Sequence, residues 1–126
     1  MSKKVISTKE APSALGPYSQ GIETDNLVFT SGQIPLNPVD GTFVNDDIVT
    51  ATKQVLENVR AVLNEAGVTL ENVVKTTVLL ANMDDFAAMN EVYGGYFTEN
   101  APARSCFQVA KLPMGSLVEI EAIAVK

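Results

Sequence analysis

The segment NDDIVTATKQVLENVRAVLNEAG, Asn45 to Gly67, and the run VVKTTVLL after it, Val73 to Leu80, decide how this chain folds. In the first, Ile48, Ala51/Thr52, Val55, Leu56, Val59, Val62/Leu63 and Ala66 recur at three- and four-residue steps, with Lys53, Glu57, Arg60 and Asn64 opposite. That is the period of a helix with one core-facing stripe and one wet face, where Arg60 is expected to stay. Asn45-Asp46-Asp47 supplies capping oxygens and negative charge at its start, and Gly67 suits its end. The second run is β-branched and reads as a strand.

Working outward, Lys3 to Ser7 forms a short first strand, and Ala11 to Pro17 is loop because two prolines and a glycine break any ladder. Tyr18 to Glu23 and Leu27 to Ser31 read as strands joined across Thr24-Asp25-Asn26, after which Gly32 to Pro38 leaves the sheet and Asp40-Gly41 turns. On the other side, Asp84-Asp85 opens a second helix with Phe86, Met89, Tyr93 and Phe97 on one stripe. Gly94-Gly95 within it costs roughly 2 kcal/mol of helix propensity, so either something approaches closely or the helix frays there. Arg104 to Ala110 and Leu117 to Val125 are the last two strands, with a turn around Leu112 to Gly115. The order is β-β-β-α-β-α-β-β: an α+β fold, one domain over residues 1–126, with two helices on one face of a mixed sheet.

Two helices leave the other face bare. In the last strand Val118, Ile120, Ala122 and Ala124 alternate with Glu119, Glu121, Ile123 and Val125; in the earlier one Val73, Lys75, Thr77 and Leu79 alternate with Val74, Thr76, Val78 and Leu80. Both faces keep apolar residues, so the uncovered one is expected to meet another subunit.

The chain has 126 residues, 46% apolar and 19% charged, which is enough for a core without staples. It has no His and one Cys, which excludes Ser-His and Cys-His nucleophile pairs, His-ligated zinc and any disulfide framework. A net charge of −6 and nine Lys and Arg argue against nucleic-acid binding. The N-terminus, Met1 to Ser7, lacks the apolar stretch of a signal peptide, and no run approaches the ~20 residues of a membrane span. A cytoplasmic protein with a reduced thiol is expected.

Chemistry must then rest on carboxylates, Arg, Tyr, Ser, Cys or backbone groups. Arg104 opens a strand where charge needs a partner: either it anchors a substrate carboxylate through its planar fork, or it pairs with Glu119 or Glu121. If the last two strands form a hairpin pairing Ala110 with Leu117, Arg104, Cys106 and Gln108 share a face with both glutamates; a one-residue slip separates them. The glutamates are either ion-paired or solvated edge residues, or carboxylates at a subunit interface, raised in pKa by desolvation or held by a partner. Cys106 reads as a small core residue or a nucleophile, and Tyr18 as a core tyrosine or a phenol at a pocket rim. Ser31-Gly32-Gln33 offers a hydroxyl and free backbone donors where a strand leaves the sheet, and Asn90 sits beside the second helix's stripe. Capping accounts for both Asp pairs, Asp46/Asp47 and Asp84/Asp85, leaving no metal set.

Taken together, Gly16-Pro17-Tyr18-Ser19-Gln20, Thr30-Ser31-Gly32-Gln33-Ile34-Pro35, Val74-Lys75-Thr76-Thr77-Val78, Pro102-Ala103-Arg104-Ser105 and Val118-Glu119-Ile120-Glu121-Ala122 resemble the RidA (YjgF) family of enamine/imine deaminases. The resemblance implies a chorismate-mutase-like fold and a homotrimer with clefts between subunits. It also implies 2-iminobutanoate/2-iminopropanoate deaminase activity. Such an enzyme hydrolyses 2-aminoacrylate and related imino acids, released by pyridoxal-phosphate dehydratases, to 2-keto acids and ammonia, with neither cofactor nor metal. Under it Arg104 binds the substrate carboxylate, Glu119 orients and activates water, and Tyr18, Ser31, Gly32, Asn90 and Cys106 line the pocket. An interaction protein (translation inhibitor, ribonuclease or chaperone-like) is the alternative, and a chorismate mutase calls for more cations than one arginine per site.

Overall fold

The structure, a computed structural model, describes residues 3–126. The reading of Met1 and Ser2 as the start of a leaderless N-terminus lies outside the described residues. The elements are β1 (Lys4–Ile6), β2 (Gly21–Glu23), β3 (Leu27–Thr30), α1 (Ile48–Glu65), β4 (Val73–Leu80), α2 (Phe86–Tyr96), β5 (Ala103–Gln108) and β6 (Val118–Val125), in the expected order. They build a six-stranded sheet ordered β1-β2-β3-β6-β4-β5, mixed because β4 and β5 run parallel while the other neighbours are antiparallel. Among the described residues no helix is long and apolar enough to cross a membrane.

The first helix forms as its pattern predicts. Asp47 caps it by accepting from the Thr50 amide at 2.8 Å. Gly67, at φ +81°, closes it with a double bond pattern: Gly67 N–H to the Asn64 carbonyl and Val68 N–H to the Leu63 carbonyl. Asn45 does other work, bonding the Gly115 carbonyl and the Leu117 amide across the fold. Val55, Leu56, Val59, Val62 and Leu63 are wholly buried against the inner sheet residues Val28, Val78, Leu80, Val118, Ile120 and Ala124. Truncating Leu56 or Ile120 to alanine would cost ~2–5 kcal/mol. Arg60 stays on the wet face, paired with Glu57 at 2.8 Å.

Several expectations are corrected. The strand foreseen from Tyr18 begins only at Gly21, because the buried Gln20 side chain turns away to bond Thr8, Ala11 and Pro12 backbone groups. In β4 a bulge between Val73 and Lys75 inserts one residue, so Val73 joins the buried face and Val74 is turned out, the reverse of simple alternation. Asp84-Asp85 does not cap α2 through a side chain. Asn82 instead caps the short turn leading in, accepting from the Asp84 amide at 2.9 Å. A methyl group added at Gly94 or Gly95 would meet nothing within 4 Å among the described residues outside its own helix backbone, and α2 stops one residue later, at Tyr96.

The largest correction concerns the last two strands, which form no hairpin. β4, α2 and β5 are a crossover unit, and such a unit makes its strands parallel neighbours. β5 therefore takes the sheet edge, and β6 is left to pair between β3 and β4. Paired residues share a face, and β4 aligns both neighbours. Thr76 meets Arg104 and Ala122, Val78 meets Cys106 and Ile120, while Thr77 meets Glu121 and Leu79 meets Glu119. Arg104 and Cys106 thus lie on the helix-covered face and both glutamates on the bare one. That bare face carries Phe29, Phe107 and Val125, between 37% and 49% exposed.

Candidate functional site

The bare-face group starts where β3 ends. The Thr30 hydroxyl accepts from the Ala122 amide at 3.0 Å, taking the place of a ladder bond. The chain swings out through Ser31-Gly32 and re-pairs at Gln33, which exchanges bonds of 2.8 and 3.2 Å with Ile120. Between Phe29, paired with Ile123, and Gln33 this strand spends one residue more than β6 does, the signature of a bulge.

The bulge lays the Glu119 carboxylate on the Gly32 backbone. A Cβ at position 32 would collide with Glu119 Oε2 and come within 2.8 Å of its Cδ, so only glycine leaves room. Glu119 has no ion-pair partner among the described residues. Its pKa is raised, first by burial and then by the neighbouring Glu121 charge. A carboxylate so placed takes a proton more readily than an ordinary glutamate.

Ser31 binds this group to the Tyr18 loop: its amide donates to the Gln20 carbonyl at 2.9 Å and its hydroxyl to the Ser19 carbonyl. Tyr18 stands 53% exposed, so the rim reading fits and the core reading does not. With Ser19 and Gln20 it borders a groove of about 540 Å³ beside the β1 edge. Gly16, at φ +144°, lets the loop fold back so that the Tyr18 ring lies over it.

The second group lies across the sheet. Arg104 projects from β5 under α2, where its Nη1 donates to Asn90 Oδ1 at 2.7 Å. The guanidinium carbon stands 4.8 Å from the Tyr93 ring centre and 5.6 Å from that of Phe86. No carboxylate pairs with it among the described residues. The ion pair with Glu119 or Glu121 is therefore excluded within one chain, since both lie on the other face. Cys106 is half-buried, and burial raises its thiol pKa although the Arg104 charge pulls the other way. That direction favours the thiol over the thiolate and weighs against the nucleophile reading. Among the described residues, no group of three or more His, Cys, Asp or Glu side chains is placed to hold a metal ion.

The candidate residues thus divide in two. Gly32 and Glu119 stand together, tied through Ser31 to the Tyr18 loop; Arg104 and Asn90 stand together, with Cys106 two residues along on the same face; the sheet separates Glu119 from Arg104. Sequence reasoning overlooked Phe86, Tyr93 and Thr76, which surround Arg104. Phe86 and Tyr93 read only as a core stripe, and the usable signal was Asn90 between them at helical spacing, a polar group on an apolar face.

A family model described as Endoribonuclease L-PSP matches residues 8–126. A Mus musculus protein named 2-iminobutanoate/2-iminopropanoate deaminase is 52% identical over 124 residues, covering 98% of this chain and 92% of its own. Among solved structures, the yjgF gene product from E. coli superposes with a TM-score of 0.93 at 48% identity, over 98% of each chain. E. coli TdcF with bound serine superposes with a TM-score of 0.94 at 45% identity, again over 98% of each.

Proposed function

Because this chain belongs to the endoribonuclease L-PSP family, the RidA (YjgF) family it resembled in sequence, we propose that it is a 2-iminobutanoate/2-iminopropanoate deaminase. The observation that carries the reading is an arginine bonded to one amide beside two rings, with no acid among the described residues to neutralise it. Such a fork suits the carboxylate of a small imino acid, bound through two parallel bonds. A net charge of −6 does not suit a polyanionic RNA backbone.

The reaction needs little machinery. Water adds to the C=N carbon while the nitrogen takes up a proton; the resulting carbinolamine expels ammonia as its hydroxyl loses a proton and becomes the keto oxygen. Glu119, with its raised pKa, accepts the proton from water and returns it to nitrogen. Arg104 holds the carboxylate, Ser31 and the Gly32 backbone face the substrate, and Tyr18 closes the rim.

One chain holds the clamp and the base on opposite faces of its sheet, so the working cleft is composite, with Arg104 from one subunit and Glu119 from the next. The apolar bare face supplies the contact, and a homotrimer is the closed assembly we assign. The lone, unactivated thiol suits the reducing cytoplasm. Coupling a threonine dehydratase to this protein tests the activity: keto acid should appear faster with the protein than without. An unchanged rate across a range of protein concentrations refutes the proposal.

A further inference from the structure

Arg104 lies on a side chain that the reaction above leaves unused. We propose that Tyr93 is a positioning residue for the Arg104 carboxylate clamp, its ring serving as the plane on which the guanidinium lies and Thr76 as the lock on that ring. This rests on the reading of Arg104 as the substrate's carboxylate anchor.

Three observations converge. The Tyr93 ring centre is 4.8 Å from the guanidinium carbon, closer than that of Phe86 and within cation–π range. The Tyr93 hydroxyl and Thr76 Oγ1 are 2.7 Å apart in a buried hydrogen bond. Thr76 is wholly buried and is the register partner of Arg104 on β4, so the ring is tied to the strand paired directly with the one that carries the clamp. Phe97 adds a second stop, its ring 4.6 Å from that of Tyr93.

The residue type follows from these contacts. Leucine keeps an apolar side chain in the core but offers a cation no negative ring face. Phenylalanine keeps the face yet leaves the Thr76 hydroxyl buried without a partner. Tyrosine meets both demands. Asn90, one turn earlier on α2, holds a single guanidinium nitrogen from the side. One hydrogen bond leaves the fork free to rotate about it, and the ring plane removes that freedom. A two-pronged carboxylate contact requires the orientation to be held.

Binding of 2-oxobutanoate, a stable keto acid of the product class, reads the clamp apart from the chemistry. Tyr93→Leu should weaken that binding roughly 3- to 30-fold, and Tyr93→Phe should stay within about 2-fold of the parent. Pentafluorophenylalanine at position 93 keeps the shape of phenylalanine and inverts the ring's charge distribution, so it should bind as weakly as the leucine variant. It also carries the test if Tyr93→Leu does not fold. On kcat/KM in the coupled assay, Tyr93→Leu should add nothing once Arg104→Ala is present. A fluorinated ring that binds as phenylalanine does, or a Tyr93→Leu loss equal in both backgrounds, overturns the proposal. Arg104→Ala with unaltered binding overturns the clamp itself, and this inference with it; a normal Arg104→Ala loss beside a silent Tyr93→Leu overturns only the inference.

Discussion

Gly32 and Glu119 show how far one hydrogen atom can decide a site. The Gly32 backbone has no positive φ, so alanine there suffers no conformational strain; its only fault is that its methyl group would occupy the carboxylate's place. Gly32→Ala should therefore fold, melt near the parent temperature and lose about 10-fold or more in kcat, read by pairing melts with the coupled assay. The raised Glu119 pKa has two consequences of definite sign. As the proposed base, Glu119 works only when ionised, so kcat/KM should fall with decreasing pH along a limb set above the ordinary glutamate value, and Glu119→Gln should abolish that limb while lowering kcat roughly 10²-fold. Folding penalises the ionised form, which destabilises the native state above the folded pKa. Glu119→Gln should then melt no lower than the parent at pH 7, marking a group kept at the expense of stability. Arg104→Lys keeps the charge and loses the fork, and should cost ~2–4 kcal/mol in kcat/KM, roughly 30- to 1,000-fold.

At the scale of elements, the Gly94-Gly95 pair in α2 gives the most direct test. Both glycines are helical and an added methyl group at either would have open space among the described residues, so alanine at each should raise stability by ~1 kcal/mol, seen as a higher melting temperature. A lower melting temperature together with a smaller particle would show instead that a subunit packs there. The helices and strands themselves were legible because each is written in local patterns, such as the α1 stripe from Ile48 to Ala66 and the β-branched run from Val73. What sequence left closed was pairing. Nothing between Arg104 and Val125 tells that β4 will slot between the last two strands, because a crossover and a hairpin can share the same strand and turn signals. That one choice decides whether Arg104 faces Glu119 or turns its back on it. The β4 bulge was hidden for a related reason: an inserted residue in an all-apolar Val73-Val74 pair leaves no gap in the pattern. Tyr93 was visible as an aromatic on a stripe, but its contact with Arg104 exists only once α2 lies across β5.

At the scale of the molecule, the bare sheet face and the divided residues make one demand. Light scattering of dilute protein should give a mass three times that of the 13.5 kDa chain, and a 13.5 kDa particle with full activity would contradict the composite cleft. Activity should also survive exhaustive dialysis against a chelator, since the proposed steps use only carboxylate, guanidinium and hydroxyl groups. The opposed placement of Arg104 and Glu119 reaches beyond the enzyme into genetics. A gene copy carrying Arg104→Ala and another carrying Glu119→Gln are each defective alone, but in a ring that mixes their products one junction joins an intact arginine to an intact glutamate. Equal, random mixing restores about a quarter of the parental junctions. Two damaged alleles in one cell would therefore rescue each other, whereas two copies of the same allele would not.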